Sequence, residues 1–331
     1  MRRLLPLLLL VCTPALAAAR PDFSQRGPLE VGRVIVPYTK KSETTGEPRE
    51  LDTIIWYPAV AGSGAPGAVT EGAAVADARW PIIMFSHGSC GLPAQSPFYV
   101  ETLASWGFVV AAPPHPGNET IDPSCNGQAP SQEADSYANR VADIRFVLDQ
   151  LLAAANDPAS PFYRRIDPRR VGMSGHSFGG QTTLRVAAAD ARIKGAVALA
   201  PAAPSGITVR TPTMIIGSEL DSLVPFDSEI QVAWAALAGP RYLVELLNTG
   251  HCAYALLCAP TLCGAGCEPG TLPLDEAHDL TLHYALPFFL KYVAGNGRWE
   301  NDLQPGNEPP FAVVHDAIAG TLPRRTLPSA D

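Results

Sequence analysis

Arg170-Val171-Gly172-Met173-Ser174-Gly175-His176-Ser177-Phe178-Gly179-Gly180 is the stretch on which the fold turns. Residues 170–173 read as a strand, residues 178–189 as a helix, and Ser177 falls on the turn between them. Glycines two residues to either side allow a sharp strand-to-helix turn, because side chains there would collide with the backbone. Such a turn lifts a hydroxyl clear of the chain and sets it at a helix N-terminus, whose positive end faces developing negative charge. Ser177 is therefore the candidate nucleophile. A chance Gly-x-Ser-x-Gly in a glycine-rich chain is the plain alternative, and the strand before and helix after argue against it.

Strand and helix patterns alternate on both sides of this turn. Strands are expected at 31–36, 53–57, 81–85, 108–112, 193–199, 213–216 and 242–246. Helices are expected at 98–106, at 132–152, where Val141, Ile144, Val147, Leu148, Leu151 and Leu152 recur at helical spacing, and at 280–293. Asp167-Pro168 breaks the chain ahead of the strand at 170–173. Residues 61–79 read as an exposed Gly/Ala-rich connection, 113–130 as a polar loop, and the tail after Pro305 as Pro-rich and weakly patterned. No internal repeat is found. The alternation predicts an α/β fold in a single domain, with a mostly parallel central sheet flanked by helices. Right-handed crossovers then align the loops after the strands along one edge, where ligand and catalytic groups gather.

The other site residues are sought at that edge. Phe85-Ser86-His87-Gly88-Ser89-Cys90-Gly91 follows an early strand. Acyl transfer needs two donors aimed at the oxygen of the tetrahedral intermediate. The backbone N–H groups of Phe178 and Ser89 are the expected oxyanion hole, and His87 is expected to be structural. A serine nucleophile also needs a base and an acid to orient it, in the chain order Ser, acid, His. Asp221 lies in the loop after the strand at 213–216 and is the expected orienter, with Glu219 and Asp227 as alternatives. His251 follows the strand at 242–246 and is the expected base. His115, His176, His278, His283 and His315 are less well placed in this order.

Composition narrows the class further. The chain has 331 residues, 47% of them hydrophobic and 17% charged, with a formal net charge of −8 and no basic block. That excludes the electrostatic footprint of a nucleic-acid binder and leaves enough apolar material for a sizeable core. Residues 1–19, with Arg2, Arg3 and an apolar run, read as a secretory signal peptide, too short to remain as a membrane span. Residues 20–305 are the expected catalytic domain and 306–331 a C-terminal extension. Cys12 leaves with the signal, and Cys90, Cys125, Cys252, Cys258, Cys263 and Cys267 remain. An even count in an exported chain points to disulfides, and paired metal-ligand spacing is lacking. The pairing expected is Cys90 with Cys125, plus two bridges among the last four. These four lie beside His251, either walling a pocket or stiffening the fold.

Residues 81–91, 106–118, 167–180 and 217–225 together resemble the dienelactone-hydrolase-like group of α/β-hydrolases, which includes relatives of platelet-activating-factor acetylhydrolase. Trp56-Tyr57-Pro58 is similar to that group's opening strands. The resemblance implies a Ser177–Asp221–His251 triad acting without cofactor or metal. Dienelactone hydrolases proper carry a cysteine nucleophile; the serine here favours general carboxylic esters over lactones of that kind. Secreted bacterial polyester hydrolases, cutinases and chlorophyllases are similar groups. The expected protein is a secreted, monomeric serine esterase. A peptidase of the same fold and an inactive binding protein are the alternatives.

Overall fold

The computed structural model describes residues 21–318 apart from 66, 259–263 and 307. The segment read as a signal peptide and Cys263 lie outside the described residues. Ten strands form one sheet: β1 (Glu30–Val36), β4 (Thr53–Ala59), β5 (Val69–Glu71), β6 (Trp80–Ser86), β7 (Val109–Ala112), β8 (Ile166–His176), β9 (Ile193–Leu199), β10 (Thr213–Ser218), β11 (Arg241–Leu246) and β12 (Ala312–Ile318). Their order is β12-β11-β10-β9-β8-β6-β7-β4-β1-β5. The run from β7 through β6, β8, β9 and β10 to β11 is parallel, while β4 and β12 pair antiparallel at its two sides. A separate hairpin joins β2 (Thr39–Lys41) to β3 (Pro48–Glu50).

Strand β6 shows why the sheet sits where it does. Its sequence is Trp-Pro-Ile-Ile-Met-Phe-Ser, buried throughout after Trp80. Ile83 and Phe85 face one apolar layer, packing with α1 (Pro97–Ser105) and α5 (Leu274–Tyr292) residues such as Tyr99, Leu103, Phe288 and Phe289. Ile82 and Met84 face the other, with Ile144, Val147, Leu148 and Leu184 from α2 (Pro130–Ala154) and α3 (Phe178–Ala189). The two-residue period of a strand splits its apolar run between two cores. Each such side chain contributes about 1.5–3 kcal/mol on burial. A short α4 (Gln231–Ala235) follows β10.

Several expectations are corrected. Asp167-Pro168 does not break the chain: β8 starts at Ile166, and a register shift between Trp80 and Ile82 absorbs the irregular residues as a bulge. Helix α5 begins at Leu274 rather than 280, after Pro273, with Asp275 and Glu276 in its first turn against the helix dipole. The connection at 61–79 contains the edge strand β5, paired with β1. Residues 312–318, placed in the weakly patterned extension, form β12 on β11. Ala312 and Val314 alternate inward there, a signal too short to stand out among the prolines.

The hairpin β2–β3 is held to α2 by buried charge. Arg49 donates to Asp143 from Nη2 at 2.7 Å and to Asp135 from Nη1 at 2.7 Å. Lys40 lies 3.3 Å from Asp143. The Asp143 carboxyl is fully buried. Asp143→Ala leaves Arg49 and Lys40 facing each other without their shared anion. It should lower unfolding free energy by about 3–5 kcal/mol, read as an earlier midpoint in a denaturant titration.

Candidate active site

The turn after β8 is as tight as its glycines require. Ser177 has φ 58° and ψ −120°, a conformation few non-glycine residues adopt. Its N–H donates to Leu199 O of β9 at 2.8 Å, and its carbonyl accepts the N–H of Gln181 at 3.0 Å. A Cβ on Gly179 would overlap the carbonyls of Ser86 and His87, and one on Gly175 would overlap Gly179. The start of α3 thus lies directly on the end of β6.

Three side chains distant in sequence meet at this turn. His251 Nε2 lies 2.8 Å from Ser177 Oγ, and His251 Nδ1 lies 2.7 Å from Asp221 Oδ2. A carboxylate only accepts, so Nδ1 carries the proton and Nε2 accepts from the serine hydroxyl. The other oxygen of Asp221 accepts the N–H groups of Leu223 and Val224 at 2.9 and 2.8 Å. Asp221 and His251 are both buried. The alternatives lie elsewhere. Glu219 accepts the Asn248 N–H at 2.7 Å, and Asp227 is exposed. His278 stacks on Phe98 at 3.5 Å, and His315 lies 2.6 Å from Glu245.

Ser177, His251, Ser89 and Phe178 line one cavity of about 560 Å³. Its wall is largely aliphatic: Leu92, Ala94, Ala202, Leu223, Val224, Leu256 and Leu257. Leu92, Leu223, Leu256 and Leu257 are also exposed, so the mouth has an apolar rim. Cys252 lines the cavity too, which makes the cysteine-rich stretch part of its wall. Cys90–Cys125 and Cys258–Cys267 are bridged, and Cys252 is disulfide-bonded. The first bridge joins the loop after β6 to residues 113–130.

Sequence reasoning missed the groups that tie these loops together. The Gly88 N–H donates to Gln95 Oε1 at 2.9 Å, and Gln95 Nε2 donates to His176 Nδ1 at 3.0 Å. His176 Nε2 in turn donates to the His251 carbonyl at 2.8 Å. One path of hydrogen bonds therefore joins the loop after β6, the serine turn and the histidine loop. Arg140 on α2, almost wholly buried, donates to the carbonyls of His87 at 2.7 Å and Gly88 at 3.2 Å and to Asn118 Oδ1 at 2.6 Å. His87 is structural as expected: its Nδ1 donates to Gly88 O at 2.8 Å. His115 Nε2 accepts from Ser86 Oγ at 2.8 Å.

A model of the PET hydrolase-like family matches residues 60–256, more than half of the chain, and that span runs from the end of β4 to beyond His251. The chain belongs to the PET hydrolase-like family. Among curated relatives, Cutinase 2 of Thermobifida cellulosilytica is 33% identical over 145 residues, covering 43% of this chain and 48% of that protein. Cutinase est1 of Thermobifida alba is 31% identical over 173 residues, covering 51% and 52%. Lipase 1 of Moraxella sp. (strain TA144) is 29% identical over 150 residues, covering 45% and 41%. The chain spans about half the length of the curated relatives it matches. Among solved structures, the ferulic acid esterase from Streptomyces cinnamoneus superposes with a TM-score of 0.70 at 22% identity, over 87% of this chain and 97% of that one. That likeness concerns the fold, which is the α/β-hydrolase architecture expected from the sequence.

The buried histidines of this family member carry a pH signature. Burial holds His87, His115 and His176 well below their ordinary value of 6.5, with nearby Arg140 adding to the effect on the first two and His251 on the third. Above pH 6.5 folded and unfolded chains bind the same protons at these groups, and no penalty arises. Below it the unfolded chain binds more, so stability falls as pH drops, by up to about 1.4 kcal/mol per pH unit for each histidine. Denaturant midpoints should fall between pH 7 and pH 5, and His115→Asn should flatten that slope.

Proposed function

We propose that this protein is a secreted carboxylic ester hydrolase in which Ser177 is the nucleophile, His251 the base and Asp221 the orienting acid. The observation that carries this reading is the unbroken line of hydrogen bonds from Asp221 through His251 to Ser177 at the cavity floor. In the first half-reaction His251 Nε2 takes the hydroxyl proton as Ser177 Oγ bonds to the ester carbon. The carbonyl electron pair moves onto its oxygen, which the Ser89 and Phe178 N–H groups receive. The carbonyl re-forms, the C–O bond to the alcohol breaks, and the imidazolium gives its proton to the leaving alkoxide. Water then attacks the acyl-enzyme by the same steps, releasing the acid and the free serine. Asp221 accepts from His251 Nδ1 throughout and stabilises the imidazolium.

The substrate class follows from the wall and the relatives together. An aliphatic cavity with an exposed leucine rim suits an ester presented by an apolar surface. Two of the relatives are named cutinases. We take polyesters as the substrate class, with soluble short esters as convenient reporters. The Cys90–Cys125 and Cys258–Cys267 disulfides support an oxidising compartment outside the cytosol.

A chain-length series of p-nitrophenyl esters, run alongside an insoluble polyester, tests the reading. Ser177→Ala should lower kcat by on the order of 10⁶ and Asp221→Asn by about 10⁴, with circular dichroism unchanged. Residual turnover of Ser177→Ala within about tenfold of the wild type would refute the assignment.

A further inference from the structure

Arg140 is a cation that burial should have excluded. It is 1% exposed, and burial draws its pKa down to about 9, against the opposing pull of Tyr137 and Asp143. A buried charge normally sits against an anion. Asp143 and Glu119 act on Arg140 only through space, and Asp143 gives its oxygens to Arg49 and Lys40. Among the described residues no carboxylate pairs directly with the Arg140 guanidinium. Its hydrogen bonds all go to neutral acceptors: the carbonyls of His87 and Gly88, the amide oxygen of Asn118 and the hydroxyl of Ser86.

The position of those acceptors gives the charge a use. The Gly88 carbonyl belongs to the same peptide unit as the Ser89 N–H. It accepts from Arg140 Nη2 at 3.2 Å, His87 Nδ1 at 2.8 Å and the Gly91 N–H at 3.2 Å. Donors on a peptide oxygen draw electron density from its nitrogen and make the N–H a stronger donor. The same guanidinium lies 4.8 Å from the centre of the Phe178 ring, beside the second proposed donor. Arg140 therefore touches both segments that carry the proposed donors and does not line the cavity.

We propose that Arg140 is a positioning residue whose charge, paired directly with no carboxylate, strengthens the Ser89 N–H toward the developing oxyanion through the Gly88–Ser89 peptide. This rests on the ester-hydrolase reading above. The interaction exists in the transition state and not in the ground state, so it raises kcat and leaves KM alone. Charge-assisted hydrogen bonds are roughly twice as strong as neutral ones, and losing that assistance through one peptide is worth about tenfold.

Two variants separate charge from scaffolding. Arg140→Gln removes the cation. Asn118→Asp keeps the side-chain shape and places a carboxylate where Asn118 Oδ1 already lies 2.6 Å from Arg140. That ion pair should anchor the arginine more firmly while cancelling its field. Asn118→Asp also gives up the 3.2 Å donation from Asn118 Nδ2 to Ser89 Oγ, so it is read against Ser89→Ala, which loses that contact and keeps both the arginine charge and the backbone N–H. The readouts are kcat and KM on a p-nitrophenyl ester and inhibition by an alkyl trifluoromethyl ketone. The ketone adds Ser177 Oγ to its carbonyl carbon, passes the hydroxyl proton to His251 and leaves an oxyanion. The matching secondary alcohol is the control of similar shape that forms none.

Both variants should lose about tenfold in kcat and in ketone affinity, with KM and alcohol affinity within about twofold of wild type; Arg140→Lys should fall between. Parallel losses for ketone and alcohol would overturn the proposal, as would an Asn118→Asp enzyme with undiminished ketone affinity. If Arg140→Gln does not fold, Asn118→Asp decides, read against Ser89→Ala. A wild-type enzyme that binds the ketone no tighter than the alcohol would instead refute the serine mechanism, and this inference with it.

Discussion

The contact between the start of α3 and the end of β6 is the constraint on which the site depends. Gly179 lies against the carbonyls of Ser86 and His87 so closely that no Cβ fits. That approach forces Ser177 into its positive-φ conformation and brings the loop after β6 level with the serine. The proposed nucleophile and the proposed oxyanion donors are therefore products of one packing event. The sheet supplies the rest: β8, β9, β10 and β11 run parallel, so the loops holding Ser177, Asp221 and His251 emerge at one edge.

Beneath that edge lies a layer of buried polar groups that a hydrophobic core would not need. Arg49 pairs with Asp143 at the β2–β3 hairpin, His115 lies 3.6 Å from the same carboxylate, and His115, Ser86, Arg140 and Asn118 form a hydrogen-bonded set beneath the loop after β6. On the opposite side Gln95 and His176 link the same loop to the histidine. The loops of the candidate site are thus held from two sides by hydrogen bonds, and disulfides tie down neighbouring segments. Rigid support of this kind preorganises donors before charge develops, which is where electrostatic catalysis gains most.

Much of this was legible in the sequence because it is local. The strand–turn–helix around Ser177 and the strand ends before Asp221 and His251 are patterns within single windows. Helix α3 and strand β9 fall on the residues expected. The failures have physical causes. Strand β12 is a short edge strand among prolines, and β8 continues through a bulge that looked like a stop. Arg140, Gln95 and His176 were missed for another reason. Their roles depend on contacts between elements far apart in the chain, and a buried arginine on an amphipathic helix reads as surface charge until its neighbours are known.

The central claim is that Ser177 is activated by His251 across the 2.8 Å contact between them. It is tested most directly by treating the protein with a fluorophosphonate and locating the adduct by peptide mass spectrometry. The account predicts a single modified residue, Ser177, with labelling slowed at least a thousandfold in His251→Ala, on the order expected for loss of a general base. An adduct on another residue, or labelling of Ser177 at an equal rate without the imidazole, would contradict it.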